Sequence, residues 1–92
     1  MKTYMVGYDL NKPGQNYTKL IARLQEYPNW WHHLDSTWVL KTDWTTVQIR
    51  DDLKQYIDSS DELLVVRLEG EGAWTGFNKE GSDWLMTNLT LI

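Results

Sequence analysis

Cysteine is absent from this 92-residue chain, so neither disulfides nor thiolate-bound zinc can stabilise it. Basic residues are scarce: nine Lys and Arg stand against thirteen Asp and Glu, a formal charge of −4. Duplex DNA binding normally draws on a basic surface that displaces counterions, so this balance argues against tight, non-specific duplex binding. No apolar run approaches the ~20 residues of a membrane span, and no membrane partner is expected. Met1-Lys2-Thr3-Tyr4 runs straight into a strand-like segment with no export signal, which sets the expectation of a cytoplasmic protein. Repeats, low-complexity tracts and linkers are also missing.

What the chain has is aromatic area. Six Trp, five Tyr and one Phe supply the apolar surface that a domain of this size needs. The length holds one core, so residues 1–92 form a single domain. Thr3–Leu10 is rich in aromatic and β-branched residues and reads as a strand, stopping at the turn signal Asn11-Lys12-Pro13-Gly14. Tyr17, Leu20, Ile21, Leu24 and Tyr27 make a helical stripe, with Asn16 as N-cap and Pro28 as its stop. Trp30–Leu34 and Thr37–Thr42 read as two short strands around Asp35-Ser36, or as one long bent strand. Thr45 and Gln48 form a capping box ahead of a second helix carrying Ile49, Leu53, Tyr56 and Ile57. Glu62–Leu68 is a strand, and Glu69–Phe77 a glycine-containing loop. A short helix is expected around Ser82–Leu89, its start obscured by Gly81.

The order β-α-β-β-α-β predicts an α+β, ferredoxin-like antiparallel sheet with two helices on one face and a short C-terminal helix. Right-handed crossovers give the sheet order 4-1-3-2. The second face then needs cover, either from the C-terminal segment or from a partner's sheet.

Several residues could carry chemistry. Asp9 ends the first strand beside Asn11, Lys12 and Gly14, where it can ligate a hard cation or cap its own loop. His32 and His33 are adjacent, face opposite sides of a strand and cannot chelate one ion together. Each is a general acid–base candidate, or else an ordinary sheet-face or surface histidine. Trp38 and Trp84 read as core. Trp30, Trp31, Trp44 and Trp74 lie at element ends or in loops, where they can stack on bases or cover the open sheet face in a dimer. The stretch holding Asp51, Asp52, Asp58, Asp61 and Glu62 reads as solvated surface. Gly70, Gly72 and Gly76 lack the lysine and helix start of a phosphate loop. No Ser-His-Asp or Cys-His arrangement can be assembled.

Tyr8-Asp9-Leu10 followed by a helix and a hairpin with Ser36-Thr37-Trp38-Val39 resembles the small core CRISPR adaptation protein and the VapD virulence-associated proteins. Met5–Leu10, Trp30–Trp38 and Asp61–Val66 look more closely like the small CRISPR-protein-like domains called the SinR family, distinct from the biofilm repressor of similar name. The resemblance implies a ferredoxin-like homodimer. It also implies that Asp9 binds magnesium near the two-fold axis and serves as the catalytic residue of a nuclease. With Tyr8, Asn11, Lys12, Trp31, His32, His33, Trp44 and Trp74 as ligand-binding candidates, the expected ligand is a phosphodiester: RNA, single-stranded nucleic acid or a nucleotide. Two other readings stand beside a magnesium-dependent endoribonuclease or phosphodiesterase. One is a non-catalytic protein that sequesters a small nucleotide, with a cyclic signalling nucleotide among the candidates; the other is a protein-interaction module.

Overall fold

The computed structural model describes residues 1–11 and 17–89. Its elements are β1 (Lys2–Asp9), α1 (Thr18–Leu24), β2 (Asn29–His32), β3 (Thr37–Thr42), α2 (Thr46–Leu53), β4 (Glu62–Leu68) and α3 (Lys79–Leu89), with a single 3-10 turn at Lys54–Tyr56 extending α2. The expected turn at Lys12-Pro13-Gly14 and the expected Asn16 cap lie outside the described residues. No helix among the described residues is long and apolar enough to cross a membrane.

The four strands form one antiparallel sheet in the order β2-β3-β1-β4, or β4-β1-β3-β2 from the other edge. Successive side chains of central β1 point to opposite faces, and buried residues occur on both, as in a strand between two layers. Tyr4 and Val6 point to the first face, where Leu20 and Leu24 of α1, Trp38 and Leu40 of β3, and Ile49 and Leu53 of α2 complete a buried core. Fully burying each of these aliphatic side chains contributes about 1.5–3 kcal/mol. The capping box holds α2: Thr45 Oγ1 accepts the Gln48 N–H at 3.2 Å and Gln48 Oε1 accepts the Thr45 N–H at 2.9 Å. α1 ends at Leu24, three residues before Tyr27, because the residue ahead of Pro28 is driven out of helical geometry and the turn tightens through Glu26 and Tyr27.

The second face carries a smaller core of its own. Val39 packs with Leu85 and Leu89 of α3, and Trp31, Leu68, Trp74, Phe77 and Trp84 surround them. Buried Thr3 donates its hydroxyl to the Asn88 carbonyl at 2.8 Å, tying β1 to the end of α3. The C-terminal segment therefore folds over the sheet, but only over one end. Toward the end of β1, Met5, Gly7 and Asp9 lie beyond its cover, and Leu64 of β4 is 57% exposed.

β1 spans Lys2–Asp9 where Thr3–Leu10 is expected, and two further boundaries differ from the sequence reading for identifiable reasons. β2 spans Asn29–His32 and excludes Leu34, which is exposed and whose carbonyl accepts the Thr37 N–H in the hairpin turn. α3 begins at Lys79, with Gly81 inside it, because Asn78 Oδ1 caps the helix by accepting the Gly81 N–H at 2.8 Å.

Candidate functional site

The loops at the end of the sheet where β1 and β2 finish and β3 and β4 begin collect most of the residues singled out above. Asp9, Asn11 and Tyr8 arrive from β1, His32 and His33 from β2, and Asp61 and Glu62 from the start of β4. Register adds a relationship that the sequence does not carry. Asp9 stands directly opposite Glu62 in the β1–β4 ladder, so both side chains share the second face. Both residues are exposed, and neither carboxylate has a hydrogen-bond or ion-pair partner among the described residues. They border a shallow depression of about 370 Å³ lined by Gly7, Tyr8, Asp9, Glu62, Leu63 and Leu64. Gly7 has no side chain to fill it, and a Cβ there would meet nothing closer than the Ser36 carbonyl at 4.0 Å.

The neighbours of this pair are held tightly. Asp61 accepts the Asn11 N–H at 2.7 Å, the Asp58 N–H at 2.7 Å and the Tyr17 hydroxyl at 2.8 Å. Desolvation pushes the Asp61 carboxyl upward, but the hydrogen bonds from Asp58, Asn11 and Tyr17 outweigh it and hold the group below its ordinary range. Asn11 Nδ2 also donates to the Ser60 carbonyl at 3.1 Å, fastening the end of β1 to the turn before β4. Tyr8 faces the other side of the sheet: its hydroxyl accepts the Trp38 indole N–H at 3.0 Å and reaches the Asp35 carbonyl at 3.3 Å. Lys12 lies outside the described residues.

The two histidines separate as their adjacency requires. His32 stacks on Trp38 of the first core, with centroids 4.0 Å apart and planes within 8°, and its Nε2 lies 3.2 Å from the Asp35 carbonyl. His33 stacks on Trp31 at 5.5 Å and packs against Phe77 on the opposite face.

The tryptophans separate too. Trp31 lies over Gly81 in the second core, and Trp74 donates its indole N–H to Ser82 Oγ at 3.1 Å. Trp84 donates to Asn29 Oδ1 at 3.1 Å. Trp44 is the only one of the six that is exposed, and it stands at the far end of the sheet from Asp9. The ligand-binding candidates thus fall into three places: the Asp9 end, the second core and the Trp44 end.

Among the described residues no three His, Asp or Glu side chains converge as a metal set. A set of two carboxylates nonetheless suits magnesium, which is commonly held by one or two carboxylates together with substrate phosphates. The residue that sequence reasoning missed is Glu62. Its place in a run of acids reads as solvated surface, and only the strand register sets it against Asp9.

Compared with known proteins, the chain matches no family model, no curated protein and no solved structure.

Proposed function

We propose that the chain is a ferredoxin-like, homodimeric, cytoplasmic protein that engages phosphodiester ligands at the Asp9 end of its sheet, with Asp9 and Glu62 as the residues that hold magnesium. RNA, single-stranded nucleic acid and nucleotides are the ligand classes, and the chemistry is phosphodiester cleavage. One observation carries the reading: Asp9 and Glu62 are exposed carboxylates directly opposite each other, beside an open depression. Like charges placed opposite each other across strands destabilise a sheet, so the arrangement costs stability unless something positive offsets it. A bound cation would neutralise the pair and draw a phosphate oxygen toward an otherwise acidic surface.

The roles of the chain's own residues follow from their contacts. Asp9 and Glu62 supply oxygen donors from two adjacent strands, a rigid base for a site. Asn11 and Asp61 fix the end of β1 against the start of β4, which sets the separation of the two carboxylates. Gly7 leaves room beside them for a sugar or base. Met5, Leu64 and Val66 share the second face with the pair and lie beyond α3. A second copy packed there would bring a second Asp9–Glu62 pair close to the first, which supports the homodimer.

The test is to incubate wild type, Asp9→Ala and Glu62→Gln with short single-stranded RNA and with cyclic dinucleotides, with and without magnesium, and to resolve bound, released and cleaved species. The expected result is magnesium-dependent cleavage that both substitutions abolish. Ligand released intact by wild type would turn the reading to a binding protein. Cleavage surviving Asp9→Ala would remove the proposed site.

A further inference from the structure

The other end of the sheet holds a second cavity, of about 170 Å³, bounded by Arg23, Glu26, Tyr27, Pro28, Thr42 and Trp44. It is well below the ~300–1,000 Å³ typical of drug-sized ligands, so it suits one ring system and not a dinucleotide. Two of its walls are aromatic, Tyr27 and Trp44, and its arginine is fixed. Arg23 Nε donates to both oxygens of Asp52, at 2.8 and 3.1 Å, and Asp52 also accepts the Tyr27 hydroxyl at 2.7 Å. The guanidinium lies 5.6 Å from the Tyr27 ring centroid and 5.9 Å from that of Trp44. Its Nη1 donates to Glu26 Oε1 at 2.8 Å, while Nη2 has no partner among the described residues.

Arg23 and Glu26 thus present a rigid donor beside an acceptor on one wall. A guanidinium only donates and a carboxylate only accepts. The ring that satisfies both offers a carbonyl oxygen next to two adjacent N–H donors, one for Glu26 Oε2 and one for the remaining lone pair of Oε1, which also accepts Arg23 Nη1. Guanine has this edge in O6, N1–H and N2–H. Adenine, cytosine and uracil each lack the adjacent pair of ring and amino N–H donors beside a carbonyl. Trp44, the one exposed tryptophan, meets Tyr27 edge-on and Arg23 near its ring, and its 37% exposed surface is what a base can stack on.

We infer that the Trp44 cavity is a guanine-base site, with Arg23 donating to the carbonyl edge, Glu26 accepting from the N–H edge and Trp44 stacking on the ring. It lies at the opposite end of the sheet from Asp9 and stands independently of the function proposed there. A free guanosine nucleotide and an unpaired guanine in RNA offer the same edge.

The test follows the Trp44 indole N–H of the full chain by NMR, assigned through Trp44→Phe. The protein is titrated with GMP, AMP, CMP and UMP, and with short single-stranded RNAs containing one guanine or none. GMP should shift the Trp44 resonance, with the other three nucleotides at least about ten-fold weaker. Glu26→Gln, at an exposed position, should weaken GMP by about ten-fold while leaving the rest of the spectrum unchanged. GMP binding as tightly as the one-guanine RNA supports a free nucleotide as the source, and tighter binding of that RNA supports a nucleic-acid source. The assignment is overturned if no ligand moves Trp44, if AMP binds as well as GMP, or if Glu26→Gln keeps full affinity.

Discussion

The Trp31 indole lies so close over Gly81 that a Cβ on that glycine would come within 2.6 Å of Trp31 Cζ2. The contact joins edge strand β2 to α3 and sets how near the helix can approach the second face. It also puts a helix-disfavouring residue inside a helix for a reason that sits far away in the sequence.

Gly81→Ala raises intrinsic helix propensity yet should destabilise the protein. The added methyl group must displace the indole or lift α3, an overpacking cost of about 1–3 kcal/mol. Urea denaturation followed by tryptophan fluorescence measures it. A gain in stability would show that α3 is not held against Trp31 as described.

Asp61 predicts an acid-sensitive joint. Its folded-state pKa is depressed by hydrogen bonds from Asp58, Asn11 and Tyr17 against an opposing desolvation. Its contribution to stability is therefore complete above the ordinary aspartate pKa, and it is lost as the pH falls through the lower folded-state value. In Asp61→Asn that part of the pH dependence should vanish, leaving a less stable protein at neutral pH and a flatter profile in the acid range. Denaturation midpoints measured from neutral pH into the acid range provide the check, and an unchanged profile would contradict the role given to Asp61.

Leu64 is the most exposed apolar side chain on the uncovered stretch of the second face. If a second copy packs there, Leu64→Lys buries a charge in the interface and should shift sedimentation from dimer to monomer without unfolding the chain. Wild type that sediments as a monomer at every concentration would remove the homodimer.

Much of the fold was legible in the sequence because local signals agreed with one another. The Thr45–Gln48 capping box, the stripe of Leu20 and Leu24, and the placing of Trp38 in the core each appear in the structure as the sequence predicts. The start of α3 was hidden because a glycine reads locally as a break, while both its tolerance and its cap depend on Trp31 and Asn78. The proposed site was legible in half. Asp9 stands out as the polar end of an apolar strand, whereas Glu62 becomes its neighbour only through strand register, which composition and spacing do not encode. Trp38 and Trp84 were placed in the core as the structure has them, but which of Trp30, Trp31, Trp44 and Trp74 stays exposed was out of reach. The hydrogen bonds of Trp74 to Ser82 and of Trp84 to Asn29, and the exposure of Trp44, all depend on how α3 and α2 dock.

Paramagnetic broadening shows whether Asp9 and Glu62 together hold a hard divalent cation. Manganese prefers the same oxygen donors as magnesium and broadens the amides nearest to it. Substoichiometric manganese added to the isotope-labelled protein should broaden Gly7–Asp9 and Glu62–Leu64 selectively. Excess magnesium should reverse the effect, and either Asp9→Asn or Glu62→Gln should abolish it. Broadening centred instead on Asp51 and Asp58, or unchanged in both variants, would contradict the account.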